Sequence, residues 1–230
     1  MLLLLNFRVI FLCYNEIRSS QFFSLTMKFY SQVILPKLID ITMSDPRISQ
    51  YREAVLSEVS GNVLEIGFGT GLNLPHYPET VQKLTTVDPN PGMNQLAQNR
   101  IESSDIEVEV RVISGENLPF PDESFDSVVS TWTLCSIPQV ERALAEIHRV
   151  LKSRGKFFFL EHGLSEEPKI QGWQNFLTPL QKIVGDGCHL NRPIQSLVEH
   201  QFQILELERF YAPKIPKTVG YLYKGVAVKG

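Results

Sequence analysis

From Asn62 onward, apolar runs of strand length alternate with stretches whose apolar residues recur at helical spacing. Such alternation is how βαβ units with a parallel sheet read. The pattern predicts a buried strand at VLEIG (63–67), then a helix that starts near Leu72 and is cut short by Pro75 and Pro78. LTTVDPN (84–90) reads as a second strand and MNQLAQNRIESS (93–104) as the helix after it. VEVRVISG (108–115) is a third strand with Val108, Val110 and Val112 in alternation, and FDSVVSTWTL (125–134) a fourth, following the turn PDES. VERALAEIHRVLKSRG (140–155) carries Val140, Leu144, Ile147, Val150 and Leu151 on one stripe, which predicts an amphipathic helix stopped by Gly155. KFFFLEHG (156–163) is then the fifth strand.

Beyond Gly163 the alternation changes. KIQGWQNFLTPLQKIVG (169–185) is helical but disturbed by Gly172 and Pro179, and RPIQSLVEH (192–200) is a short helix with Pro193 in its first turn. FQILELERFY (202–211) and YLYKGVAVKG (221–230) are separated only by a Pro-containing loop, which predicts an antiparallel hairpin added at the sheet edge.

At the front, MLLLLNFRVIFLCY (1–14) is interrupted by Arg8 and falls short of the roughly 20 apolar residues that span a bilayer. It also lacks the basic start and small-residue cleavage site of a secretory signal. FFSLTMKFYSQVILPKLIDITM (22–43) has helical spacing broken by Pro36, and reads as a helix covering the core, a lid over the active site, or a segment lying in a membrane interface. The expected division is therefore 1–43, an extension with a lid or membrane-facing helix, and 44–230, one α/β domain. Residues 1–26, ahead of Met27, are expected to be an optional extension, which an intact mass of natively expressed protein would decide.

Charge narrows the partners. The 230 residues carry 22 Lys+Arg against 25 Asp+Glu, a net charge of -3, with the basic residues scattered. That excludes nucleic acid as the main partner. Cys13, Cys135 and Cys188 are odd in number and at no metal-like spacing. They fit a reducing, cytoplasmic compartment, and the spacing indicates neither zinc nor any other metal.

The candidate chemistry centres on Gly67, Gly69 and Gly71, directly behind the first strand. Glycines between a strand and a helix let backbone N–H groups approach a ligand, and a helix N-terminus favours negative charge, so the turn selects a nucleotide-like cofactor. A dinucleotide fingerprint needs G-x-G-x-x-G, whose third position falls on Leu72. The pattern is instead E-x-G-x-G-x-G, starting at Glu65.

VLEIGFGTG resembles the first motif of the class I S-adenosylmethionine-dependent methyltransferases. The resemblance implies a doubly wound, mostly parallel seven-stranded sheet of Rossmann-like type with an antiparallel edge strand, and S-adenosyl-L-methionine as cofactor. Asp88, closing the second strand, is then the acceptor for both ribose hydroxyls. SGENLPFPDESFD (114–126) resembles the adenine-side loop, with Ser114 where many relatives carry Asp, so Gly115 and Glu116 become the expected contacts. Glu65, Gly67, Gly69, Gly71, Pro89 and Thr131 complete the implied cofactor set. GTGLN with HYP, then DPNP, SGE, TLCS, EH, GDGC and GVAVK resemble the microsomal alkyl-thiol methyltransferases, the methyltransferase-like family seven, over most of residues 60–230. That family's N-terminal membrane-associating segment raises the expectation of peripheral membrane contact through residues 2–43.

Ligands of open α/β sheets bind at the carboxyl ends of the strands. The groups there include Ser130 to Thr133, Glu161 and His162, joined by Asp186, Cys188 and His189 of GDGCHLNRP. Asp186 and then His162 are the candidate general bases, each weighed against a structural role. Cys135 and Cys188 read as packing rather than nucleophiles, because methyl transfer to a bound acceptor needs no covalent enzyme intermediate. Trp132 and Trp173 are candidate pocket walls, and Asp126 is structural. The expected function is methyl transfer to a small apolar acceptor, a thiol by the resemblance. The alternatives are a lipid-amine or quinol-ring methyltransferase, an NAD-dependent oxidoreductase, or a cofactor-binding regulator without catalysis.

Overall fold

The computed structural model describes residues 25–230, so most of the expected optional extension lies outside the described residues. Helical turns from residue 25 pass through a π-helical turn, Tyr30–Ile34, into α1 (Leu35–Met43). Next comes α2 (Pro46–Leu56), which the strand–helix alternation did not predict. Its start was nonetheless written locally: Asp45 accepts the Arg47 N–H at 2.9 Å as N-cap, and Pro46 takes the first-turn position where no N–H is needed.

The sheet is built from β1 (Gly61–Ile66), β2 (Val81–Val87), β3 (Glu107–Arg111), β4 (Phe125–Thr131), β5 (Leu151–His162), β6 (Gln203–Tyr211) and β7 (Tyr221–Val228), in the order β3-β2-β1-β4-β5-β7-β6. Pairings among β1 to β5 are parallel, while β7 runs antiparallel to both β5 and β6. The expected late hairpin is present, and its reversed strand, β7, lies between β5 and the outermost strand, β6. Apolar side chains fill both faces of the central strands, as a parallel sheet covered by helices requires. Leu64, Ile66, Val128, Phe157 and Phe159 belong to one core cluster, and Val63, Leu84, Val129, Phe158 and Leu160 to the other.

Helices α3 (Pro91–Glu102), α4 (Val140–Val150), α5 (Pro168–Val184) and α6 (Ile194–Glu199) complete the chain. Two expectations are corrected. The helix expected over 140–155 ends at Val150, and β5 begins at Leu151, which pairs with Phe125. Arg154, at φ 63°, and Gly155 accommodate an irregularity inside the strand rather than a helix stop. The third strand ends at Arg111, so Val112 is exposed rather than part of the alternation. The helix expected over 169–185 is present as α5, continuous through Gly172 and Pro179. Behind the glycine turn only a 3-10 turn, Leu74–His76, forms, consistent with the two prolines.

The segment ahead of α2 is strapped to the main domain. Tyr30 donates to the Val184 carbonyl at 2.7 Å, and Asn90 donates to the Ser31 carbonyl at 2.8 Å. Arg100 of α3 pairs with Asp40 at 2.8 Å while also donating to the Thr70 carbonyl. At Gly92 a Cβ would collide with the Gln32 carbonyl, a backbone atom that has little room to retreat. Gly92→Ala is therefore expected to release residues 30–43 from α3. Limited proteolysis ahead of α2 is expected to accelerate at least roughly tenfold, the ratio that ~1.4 kcal/mol of lost docking gives. An unchanged cleavage rate would show that the strap is not held at this point.

Candidate active site

The turn leaving β1 is anchored on β2, where the Gly67 N–H donates to the Val87 carbonyl at 2.8 Å. Gly67 and Gly69 take φ of 75° and 57°, the left-handed region that favours glycine. They do so for different reasons. A Cβ on Gly67 would collide with the Thr133 side chain, whereas one on Gly69 would meet nothing nearer than the Gly67 carbonyl at 4.0 Å. Gly67 thus serves close packing of the turn against the segment after β4, and Gly69 keeps a bare backbone beside open space. Gly71 packs toward Phe68 and Ala97 of α3.

Asp88 closes β2 and is bound to this turn. Its Oδ2 accepts the Gly69 N–H at 2.9 Å and its Oδ1 accepts the Asn90 N–H at 2.8 Å. Burial raises its pKa; the two amide bonds oppose the rise, and the nearby Asp186 charge adds to it. The geometry fits a nucleoside ligand: a buried carboxylate held rigidly by two amides, with lone pairs to spare, next to a glycine backbone that no side chain covers. Pro89, beside it, is exposed.

Glu65 points into a buried polar cluster. Its Oε1 accepts from Asn73 at 2.8 Å and its Oε2 from Tyr77 at 2.7 Å. Arg52 of α2 donates to the Asn73 side chain at 2.7 Å and lies 4.7 Å from the Trp132 ring. Asn73 also donates to Thr131 Oγ1 at 3.0 Å. These bonds tie the floor of the turn to β4 and α2, so Glu65 and Thr131 support the cradle from beneath. Arg52, Asn73 and Tyr77 were not singled out from the sequence, although GTGLN and HYP contain two of them.

In the loop after β3, Gly115 lies against Ile66 at the end of β1, where a Cβ would approach to 2.9 Å. Glu116 accepts the Gln139 N–H at 2.6 Å and the Ser114 hydroxyl at 3.0 Å, which fixes the loop to the start of α4. Arg149 clamps the same loop from α4, donating to the Phe120 carbonyl at 2.7 Å and the Leu118 carbonyl at 2.9 Å.

At the ends of β4 and β5, Glu161 is fully buried and accepts from Ser130 at 2.8 Å and from the Thr133 N–H at 3.1 Å. His162 Nε2 lies 3.1 Å from Cys188 Sγ, and both residues are buried. Asp186 is exposed, in the left-handed region at φ 47°, and accepts the Ser31 hydroxyl at 2.5 Å. The structure thus brings Asp186 to the Asp88 side of the cradle under the N-terminal strap, and sets His162 apart beside the cysteines. Trp132 is half-buried beside Arg52, whereas Trp173 is exposed on α5 against Phe176. Asp126, at the opposite end of β4, accepts the Asn62 N–H at 2.9 Å and pairs with Lys152.

Residues 64–159 match the family model described as a methyltransferase domain. A thiol S-methyltransferase of Rattus norvegicus is 40% identical over 73% of this chain and 70% of its own. One of Homo sapiens is 36% identical over the same shares. Among solved structures, an S-adenosylmethionine-dependent methyltransferase of Thermotoga maritima, titled a possible histamine N-methyltransferase, superposes with a TM-score of 0.61 at 17% identity, covering 87% of this chain and 97% of that one. That last likeness shows the fold.

The Glu65 cluster generates a pH dependence. Burial pushes this carboxyl from 4.5 up to about 7, against the lowering pull of Tyr77, Asn73 and Arg52. A carboxyl whose folded pKa is raised favours folding in its protonated form. Its contribution is therefore full below the unfolded value near 4.5 and is lost as pH rises through about 7. Denaturant titrations are expected to show stability falling by roughly 2–3 kcal/mol between pH 5 and pH 8 from this group. Glu65→Gln, which keeps the size and removes the ionisation, is expected to flatten that slope, and an unaltered slope would place the titration elsewhere.

Proposed function

The chain belongs to the class I S-adenosylmethionine-dependent methyltransferases, alongside the thiol S-methyltransferases, and from that premise we propose that it methylates the sulfur of a small apolar thiol. The observation that carries the cofactor reading is the Asp88 carboxylate bonded to the Gly69 amide beside uncovered backbone. The thiol reading is supported by the activity named for the two relatives.

When bound, the cofactor supplies a methyl group on a sulfonium: the acceptor sulfur forms the new C–S bond, the old one breaks toward the sulfonium sulfur, and the thiol proton passes by way of Asp186 to water. The protein's part is placement and exclusion of water, which in well-aligned cases lowers a barrier by roughly 7–11 kcal/mol. Asp88 grips the ribose with the lone pairs its amide bonds leave free. Gly69 admits the ligand to the backbone, Gly67 and Gly71 hold the turn that presents it, and Gly115 and Glu116 border the adenine. A thiol of pKa near 8.5 needs only modest help to ionise. Asp186 is the group placed to receive its proton, being a carboxylate on the Asp88 side of the cradle.

The strap over residues 30–43 acts as a lid, since Ser31 bonds both Asn90, two residues beyond Asp88, and Asp186. It also supports peripheral contact with a membrane, because Phe29, Leu38 and Ile41 are exposed there and Phe176, Leu180 and Ile183 are exposed on α5, to which Tyr30 is bonded. Among the described residues no helix is long and apolar enough to cross a bilayer.

Transfer of labelled methyl to a panel of aliphatic thiols, quinols and lipid amines tests the acceptor. Label appearing in thiols is the expected result, and label confined to amines or quinols would replace it. Asp88→Ala is expected to weaken S-adenosylhomocysteine binding at least roughly tenfold by calorimetry, whereas unchanged affinity would put the ribose elsewhere. Asp186→Asn is expected to lower kcat by about 100-fold with cofactor affinity intact, and normal turnover would leave it only a turn residue.

A further inference from the structure

Three residues far apart in sequence converge beside the cradle. The ligand atoms of Cys135, His162 and Cys188 all lie within 4.8 Å of one another, and all three residues are buried. They come from three elements, the turn after β4, the last residue of β5, and the loop after α5. Each is held by backbone. The His189 N–H donates to the Cys135 carbonyl at 2.9 Å, which fastens the two cysteine segments together. The Arg192 guanidinium donates to the Leu134 and Ile137 carbonyls on either side of Cys135. Asp186 and Gly187, with φ of 47° and 93°, form the left-handed turn that delivers Cys188 inward.

Two thiols and an imidazole are the ligand types that suit zinc-class ions. Tetrahedral zinc, with Zn–S near 2.3 Å and Zn–N near 2.0–2.1 Å, sets its ligand atoms roughly 3.5–3.8 Å apart. His162 Nε2 and Cys188 Sγ, at 3.1 Å, already lie near that range. Three protein ligands leave one position of the tetrahedron open, the arrangement of reactive rather than structural zinc. The cluster also adjoins the cradle. Thr133, two residues before Cys135, packs against Gly67, and its Oγ1 lies 3.4 Å from the Gly67 carbonyl.

We propose that Cys135, His162 and Cys188 form a binding site for a zinc-class divalent ion whose open position takes the sulfur of the acceptor. This deepens the thiol reading and rests on it. Coordination forms a metal–sulfur bond as the thiol proton leaves to water, which holds the acceptor as a thiolate beside the methyl donor. The function of the site is thus to ionise and place the acceptor sulfur, and the protein cysteines are never methylated.

The test uses the full chain, kept reduced, freed of metal and titrated with Co²⁺ in the absence of S-adenosylmethionine. A thiolate-to-cobalt charge-transfer band at stoichiometric metal is expected. Cys135→Ser and Cys188→Ser are each expected to weaken cobalt binding by more than about 100-fold, beyond what loss of a merely supporting partner costs. Cys13→Ser is expected to leave binding unchanged. Far-ultraviolet circular dichroism and S-adenosylhomocysteine affinity matching the wild type establish that the variants fold. No charge-transfer band in the wild type, or a band that survives both Cys135→Ser and Cys188→Ser, overturns the site. Addition of a small aliphatic thiol is expected to shift the visible cobalt bands, and an unchanged spectrum overturns the open-position role. Metal-free enzyme that methylates thiols at the full rate would overturn the metal and leave the thiol reading standing. A cobalt band in a protein that methylates no thiol would overturn the acceptor assignment and leave the ion site standing.

Discussion

The hydrogen bond from the Gly69 amide to the Asp88 carboxylate is the constraint on which the rest of the site depends. It joins the turn after β1 to the end of β2, so the spacing of those strands sets the spacing between uncovered backbone and buried carboxylate. Asp88 is buried, and a carboxylate tolerates that position only when its oxygens are bonded. The two backbone amides satisfy that need before any ligand arrives, so the acid is held in place instead of being drawn into place by what it binds. Preorganisation of this kind removes an ordering cost from binding.

Around this bond the molecule separates what faces the ligand from what supports it. The Glu65, Asn73, Tyr77 and Arg52 cluster lies under the turn and reaches from β1 to α2 and β4. Such a network gains cohesion from a low-dielectric surrounding, and every missing partner would be costly there. The loop from Ser114 to Asp122 is governed similarly by Glu116 and Arg149, which make α4 its scaffold. The ligand-facing surface is left mainly to backbone.

The parts legible in the sequence were those where local rules and function agree. VLEIGFGTG was readable as a strand and a tight turn because an apolar run gives the strand and close backbone approach with positive φ demands glycine. The parallel strands were readable as apolar runs covered on both faces. The boundary between α4 and β5 was not, since Leu151 continues the apolar stripe of the helix while its backbone pairs with Phe125. The support under the turn was hidden because Arg52 reaches Thr131 across 79 positions. The nearness of Cys135 and Cys188 was hidden for the same reason, since they meet through the fold rather than along a motif.

The reversed strand β7 makes completion of the sheet depend on a segment far downstream of the strand it covers. β5 pairs with β7 from Lys156 to His162, and β7 does not begin until Tyr221. While the chain is still being made, β5 presents an unpaired edge carrying Phe157, Phe158 and Phe159, side chains that are buried in the finished molecule. An open apolar edge of this kind is a template for pairing with other chains. Arrival of β7, rather than pairing of the parallel strands β1 to β5, is therefore the step that closes this edge against other chains.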